Sequence, residues 1–194
     1  TAFRLITTRH LSRNAEGTSA TVAKGGLELA RSDLDHPQGA NGGDSNSVLE
    51  HMHTILQAPD ALPDTLVINC GLHDIKTDPA TEARQVSLEA YRANLNAMVE
   101  LVHGAGKRLI WITTTPVDEQ RHNARSSIHR YEADLAAINA AAVEVMEVHG
   151  VAVIDLHAFA ATLGGKLFRD HVHFVPEVSK RQAEFLRGEL QRFL

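Results

Sequence analysis

The chain has 194 residues, 43% of them hydrophobic and 22% charged, with a formal net charge of −5 and one cysteine. This size and balance predict one globular domain over residues 1–194, with a core that needs no disulfide. The acidic charge and the lack of a Lys/Arg cluster argue against nucleic acid or an anionic membrane surface as the main partner. No apolar run is long enough to span a bilayer. The sequence indicates no compartment and leaves a homo-oligomer open.

Short apolar strands and amphipathic helices alternate along the chain. Strands are predicted at FRLITT (3–8), TLVINC (65–70), RLIWITTT (108–115) and VAVIDL (151–156). These strands are apolar almost throughout, as parallel strands covered on both faces are. Helical spacing of apolar residues occurs at 18–31, 46–57, 87–103, 127–149 and from about 177 onward. This alternation predicts βαβ units with right-handed crossovers, and therefore a parallel sheet between two helix layers.

Ligands of such folds bind at the carboxyl ends of the strands. The segments that follow the predicted strands are residues 9–12, 71–76, 113–117 and 156–158. Two long polar loops, at 32–47 and 117–126, are further candidates, because long loops in compact domains are often functional.

Asp170 and His173 have D-x-x-H spacing in RDHVHF, just before the last predicted helix. In a turn, this spacing lets a carboxylate hold one imidazole nitrogen and leave the other for proton transfer, as in the base half of a hydrolase triad. Two unrelated surface polar residues are the alternative. His171 either points the other way or forms an H-x-H metal pair with His173.

Two further segments offer groups that suit a developing negative charge. In GLHD (71–74), Gly71 permits a tight backbone and His73 can donate a hydrogen bond, although Asp74 can equally cap the next segment. GANGGDSNSVLEHM (39–52) places backbone N–H groups ahead of a helix, where they can stabilise an oxyanion. Alternatively, this is a plain loop with Asp44 or Ser45 as the helix N-cap.

Neither the cysteine nor the histidines predict a cofactor. Cys70 continues a buried apolar run and is interpreted as a core residue rather than a nucleophile. Only HMH (51–53) and HVH (171–173) bring histidines close together, and neither has ligand-rich surroundings. We therefore predict neither a metal nor another cofactor.

Together, these segments resemble the SGNH (GDSL-like) hydrolases over about residues 37–190. That family has a nucleophilic Ser in G-D-S, an oxyanion Gly, an oxyanion Asn in G-x-N-D, and a D-x-x-H near the C-terminus. The resemblance implies a three-layer α/β/α, flavodoxin-like fold with a parallel sheet of about five strands. It also implies an esterase-like hydrolase that acts on an ester or a carbohydrate derivative and needs no cofactor.

The resemblance assigns a role to each segment. Asp170 and His173 correspond to the base pair, and Gly43 is the best-placed oxyanion glycine. GLHD stands where G-x-N-D belongs, so Gly71 and His73 become part of the oxyanion site, with His73 in place of Asn. Asp74 and Ser45 are carried over with them as substrate-binding candidates.

The first family block is where this chain departs from the pattern. Aligned on the first strand, TRH (8–10) occupies the place of G-D-S, and His10 stands where Ser belongs. A slip by one or two residues brings Arg9 or Ser12 there instead. GGDS (42–45) spells the motif, but it lies 26 residues ahead of Gly71, which suits the glycine block.

Three functional hypotheses remain open on the sequence. The first is an SGNH-fold hydrolase in which His10 or a water attacks the substrate, since histidine can act as a covalent nucleophile. The second is a conventional serine esterase that uses Ser12 or Ser45. The third is a non-catalytic protein that binds a carbohydrate or an anion in the same cleft.

Overall fold

A parallel sheet forms the centre of the protein. The computed structural model describes residues 3–7 and 43–193. Within them, four strands lie side by side in chain order: β1 (Phe3–Thr7), β2 (Thr65–Asn69), β3 (Arg108–Ile112) and β4 (Ala152–Ile154). Every neighbouring pair is parallel. The predicted parallel α/β sheet is confirmed. Two other predicted segments lie outside the described residues: the helix at 18–31 and the strand exit at 8–12.

Six α-helices connect and flank the strands in the described residues. They are α1 (Ser45–Ile55), α2 (Leu88–Gly104), α3 (Glu119–Asn123), α4 (Glu132–Val148), α5 (Leu156–Thr162) and α6 (Pro176–Gln191), with a 3-10 turn at Pro59–Ala61. Asp44 caps α1 by accepting the N–H of Ser47, and Ser87 caps α2 by accepting the N–H of Ala90. These caps satisfy backbone donors that have no partner within the helix.

The helices cover both faces of the sheet, because successive side chains of a strand point to opposite faces. Leu66, Ile68 and Trp111 belong to the core cluster shared with α1, α2 and α4. Val67, Ile110 and Ile112 belong to a second cluster shared with α5 and α6. Fully burying each such side chain contributes roughly 1.5–3 kcal/mol. The result is the predicted α/β/α sandwich.

Two predicted boundaries were wrong. The helix expected from residue 127 begins at Glu132, because His129 exchanges both of its backbone hydrogen bonds with Thr77, at 2.8 and 2.9 Å. The polar loop expected at 117–126 contains the short helix α3, which Asp118 caps by accepting the N–H of Arg121. A contact with a distant segment therefore sets the first boundary, and a local cap sets the second.

Cys70 follows β2 directly and is fully buried. Burial raises the pKa of its thiol well above the ordinary value, so the thiolate is strongly disfavoured. Its carbonyl oxygen accepts hydrogen bonds from the hydroxyls of Tyr91 and Thr114. The interpretation of Cys70 as a core residue is confirmed.

Candidate active site

Asp170 and His173 lie in a tight turn just ahead of α6. The N–H of Arg169 donates to the His173 carbonyl at 2.7 Å, and the Phe168 and Phe174 rings stack across the turn. Asp170 Oδ1 accepts the N–H groups of Val172 and His173, at 2.9 and 2.8 Å. Asp170 Oδ2 lies 2.7 Å from His173 Nδ1. One carboxylate therefore holds both the backbone and the imidazole of its own turn.

The Asp170 carboxylate determines which ring nitrogen of His173 carries the proton. Burial acts to raise the pKa of Asp170, but the two backbone donors and His173 outweigh it and hold that pKa well below its usual range. The ionised carboxylate accepts the Nδ1 proton of His173, so the lone pair of the neutral imidazole lies on Nε2. This is the nitrogen that a general base uses.

The GLHD segment forms a second tight turn directly after β2. The Gly71 carbonyl accepts the N–H groups of Asp74 and Ile75. Gly71 has a φ of 140°, and a Cβ at this position would lie 2.6 Å from Ile138 Cδ1 and 2.8 Å from Thr114 Oγ1. Only glycine allows this approach to the core. Gly71 therefore shapes the turn that presents His73.

His73 is half-buried in a positive environment. Burial, followed by the charges of Lys76 and Arg130, lowers the pKa of His73 to about 4. The ring is therefore neutral at pH 7 and carries one N–H group. No hydrogen bond joins this ring to a group in residues 3–7 or 43–193.

Asp74 ties this turn to the beginning of α1. Its carboxylate oxygens lie 3.0 and 3.1 Å from the backbone nitrogen of Ser45, which donates to them. The Ser45 hydroxyl accepts a hydrogen bond from Asn94 Nδ2 at 2.8 Å. Both Asp74 and Ser45 are buried, and burial raises the pKa of Asp74 to about 6. The structure therefore places both residues inside the protein, as a link between GLHD and the glycine block.

Gly43 lies two residues before Ser45, at the start of the described part of the glycine block. Its φ is 72°, and a Cβ there would lie 2.6 Å from both Cβ and Oγ of Ser47. The Ser45–Asp74 hydrogen bonds bring this glycine to the same end of the sheet as the 71–75 turn. The backbone at Gly43 therefore requires glycine, whatever its role in catalysis.

Two buried side chains connect the 71–75 turn with the 170–173 turn. Arg130 Nε donates to the Leu72 carbonyl at 2.9 Å, and Arg130 Nη1 lies 3.0 Å from His122 Nε2. His122 Nδ1 in turn lies 2.6 Å from His171 Nδ1. Sequence reasoning missed both residues. The only available signal was the length of the polar loop that contains His122.

The structure describes only some of the remaining site candidates. His10, Arg9 and Ser12 lie outside the described residues, so their proximity to His173 stays a prediction. The two histidines of HVH turn to different partners, His122 and Asp170. In residues 3–7 and 43–193, no group of three or more His, Cys, Asp and Glu side chains is arranged to hold a metal ion.

Comparisons with known proteins now identify the family. Residues 13–180 match the profile of the GDSL-like lipase/acylhydrolase family. The chain belongs to this family. The match covers GLHD and D-x-x-H of this GDSL-like protein but begins after residues 8–10. A search of curated proteins found no match.

Several solved structures share the fold of this GDSL-like chain. A lipase/acylhydrolase from Enterococcus faecalis has a TM-score of 0.68 at 20% identity, covering 99% of this chain and 96% of that chain. A GDSL-like lipase from Bacteroides thetaiotaomicron has a TM-score of 0.70 at 15% identity, covering 99% and 88%. An acetyl xylan esterase has a TM-score of 0.68 at 15% identity, covering 96% of this chain and 98% of that chain.

No helix in the described part of the chain is long and apolar enough to cross a bilayer.

Proposed function

We propose that this GDSL-like protein hydrolyses an ester of a small molecule or a carbohydrate derivative, with His173 as general base and Asp170 as its orienting carboxylate. The contact of 2.7 Å between His173 Nδ1 and Asp170 Oδ2 carries the proposal. A surface pair would gain little from such an arrangement. Here the carboxylate also accepts two backbone N–H groups, which fixes its orientation toward the ring.

The proposed reaction uses His10 or a water molecule as nucleophile. A water would give a proton to His173 Nε2 while its oxygen attacks the ester carbonyl carbon. The tetrahedral intermediate then collapses, and His173 returns the proton to the departing alcohol. If His10 attacks, its ring nitrogen bonds to the carbonyl carbon, the ester C–O bond breaks, and the alcohol leaves with the ring proton, which gives an acyl-imidazole. A water activated by His173 then cleaves the acyl–nitrogen bond, which releases the acid and restores the proton of the His10 ring. Both routes consume one water and yield one acid and one alcohol.

The Gly43 N–H and the His73 ring are the proposed oxyanion donors. His73 supports this role because its neutral ring keeps one N–H at pH 7. The charges of Lys76 and Arg130, which disfavour an imidazolium, favour a negative oxygen beside the same ring. His73 would thus donate where the family has Asn.

Among the serine alternatives, Ser45 is disfavoured and Ser12 stays open. The Ser45 side chain is fully buried and hydrogen-bonded to Asn94, so a substrate carbonyl would have to displace core contacts to reach it. A fluorophosphonate probe with peptide mapping separates the routes. Labelling of Ser12 in active enzyme would favour the conventional esterase, whereas activity without serine labelling would favour His10 or water.

Acetylated carbohydrates are the first substrates to test, because one structural neighbour is an acetyl xylan esterase. We expect acetate release from p-nitrophenyl acetate and from acetylated xylo-oligosaccharides. The His173→Ala variant should lose this activity, and His103→Ala, which changes an exposed histidine in the last turn of α2, should retain it. Saturable carbohydrate binding with no turnover on any ester would overturn the hydrolase and favour the binding protein.

A further inference from the structure

The described structure contains a continuous chain of polar contacts that the proposed reaction does not use. It runs from the Leu72 carbonyl, next to His73, through Arg130 and His122 to the ring of His171, next to Asp170. His122 and Arg130 are only 1% and 7% exposed. A buried charge and a buried imidazole in contact are costly unless their hydrogen bonds are well satisfied.

The chemistry of these groups fixes where each proton lies. A guanidinium only donates, so His122 Nε2 must accept from Arg130, and the neutral ring must then carry its proton on Nδ1. That proton points at His171 Nδ1, which must accept it. A His171 ring that accepts at Nδ1 has its own proton on Nε2. Burial, followed by the Arg130 charge, lowers the pKa of His122 to about 4, in agreement with a neutral ring at pH 7.

We propose that Arg130 and His122 are positioning residues that hold the His173 base at a fixed separation from the His73 oxyanion donor. This inference rests on the proposed function. Arg130 fixes the backbone of the 71–75 turn, and His122 fixes the His171 side chain of the 170–173 turn. Neither needs to touch the substrate.

Backbone contacts near α3 support this arrangement. The Asp118 N–H donates to the His171 carbonyl at 3.3 Å, and Arg121 Nη1 donates to the Asp170 carbonyl at 3.0 Å. Val172 packs against the core cluster that also contains Leu72. The turn is therefore held on its backbone by α3 and on its His171 ring by His122.

The test compares His122→Leu with His122→Gln. Leu removes both hydrogen bonds, whereas the Gln amide offers one acceptor for Arg130 and one donor for His171. We expect kcat to fall about 10- to 100-fold in His122→Leu, with little change in KM, because the base and the oxyanion donor lose their mutual placement. His122→Gln should recover most of the wild-type kcat. Equal kcat in wild type and His122→Leu would overturn the proposal, as would equal losses in both variants.

A matched control pair changes a histidine outside this network. His149, at the C-terminal end of α4, is half-buried, whereas His122 is buried, and the Nε2 of His149 lies 2.8 Å from Asn96 Oδ1. His149→Leu and His149→Gln should have the same kcat. If His122→Leu does not fold, His171→Ala replaces it, because His171 is partly exposed. An unchanged kcat in His171→Ala would then overturn the proposal.

A second readout does not depend on turnover. Long-range ¹H–¹⁵N spectra of the wild-type histidine rings should show His171 with its proton on Nε2 and His122 with its proton on Nδ1. A His171 proton on Nδ1 would refute the network even in an active enzyme. If the protein hydrolyses no ester but shows these protonation states, the proposed function fails while the network stands, and the positioning role in catalysis is refuted.

Discussion

The turns at 71–75 and 170–173 each contain one aspartate, together with one histidine in the first turn and two in the second, and the two aspartates have different roles. Asp74 is 1% exposed, and its carboxylate holds the backbone of another element at Ser45. The Asp170 side chain is 36% exposed, and its carboxylate holds its own turn and its own histidine. Burial raises the pKa of Asp74 to about 6, whereas backbone donors and His173 keep the pKa of Asp170 well below its usual range.

This difference shows how environment separates a structural carboxylate, Asp74, from the proposed orienting carboxylate, Asp170. Asp74 receives its donors at the cost of nearly complete desolvation, so it contributes to folding rather than to proton transfer. Asp170 remains partly hydrated and ionised, and can stabilise an imidazolium on His173. Substitution of Asp170 should therefore lower mainly kcat, whereas substitution of Asp74 should lower mainly the free energy of unfolding.

The largest expected effect is on catalysis by Asp170→Asn. An Asn amide cannot hold the Nδ1 proton of His173 as a carboxylate does and cannot stabilise the imidazolium, so kcat should fall by about 10³- to 10⁴-fold. Ester hydrolysis at pH 7 measures this loss. The free energy of unfolding should stay nearly unchanged, because the site is partly exposed. A variant that unfolds easily but keeps its kcat would reverse the roles assigned to the two aspartates.

The next largest expected effect is a loss of kcat when His73, in the 71–75 turn, is replaced. Removal of one oxyanion donor costs about 10²- to 10³-fold in kcat, and we expect this loss in His73→Ala. His73→Asn supplies the amide that the family uses and should restore much of the rate. Steady-state kinetics on p-nitrophenyl acetate check both variants. Equal rates for Ala and Asn would show that His73 is not a donor to the oxyanion.

The features of the two turns that depend only on neighbouring residues could be predicted from the sequence. The apolar run of β2, the glycine at its exit and the D-x-x-H spacing are local signals, and the structure has β2 at Thr65–Asn69 and the Asp170–His173 contact. A carboxylate three residues before a histidine can reach the ring within a single turn, so no distant contact was needed.

The features that depend on contacts between residues far apart in the chain could not be predicted. GLHD does not reveal that Asp74 is buried against Ser45, 29 residues earlier in the chain. Nor does the sequence show that the Thr77–His129 pairing delays α4, or that Arg130 reaches the Leu72 carbonyl. Long-range packing here overrides the helical pattern of residues 127–131.

A smaller effect, on stability, is expected from Asp74→Ala. The substitution leaves the buried N–H of Ser45 without its acceptor, and an unsatisfied buried group costs about 1–3 kcal/mol. Urea denaturation should therefore show a lower free energy of unfolding. Asp78→Ala is a control, because Asp78 is exposed and caps only a local turn through the Ala80 N–H. Equal stability losses in both variants would contradict the structural role of Asp74.

The smallest expected effect is on the pH dependence of stability, to which Asp74 contributes with a sign opposite to that of His73 and His122. Because the pKa of Asp74 is raised from 3.8 to about 6, the native state holds a proton between these values that the unfolded state lacks. Asp74 therefore adds relative stability as the pH falls from 6. His73 and His122, whose pKa values are lowered from 6.5 to about 4, have the opposite sign and cost stability over the same range.

Asp74→Asn isolates the Asp74 contribution, because it removes the titration while keeping an acceptor for the Ser45 N–H. From pH 6 to pH 5 the variant should lose about 1 kcal/mol more free energy of unfolding than the wild type, since a full proton corresponds to about 1.4 kcal/mol per pH unit. Urea midpoints at the two pH values measure the difference. Parallel losses in both proteins would mean that the Asp74 carboxylate is solvated like that of Asp170, and the contrast between the two turns would disappear.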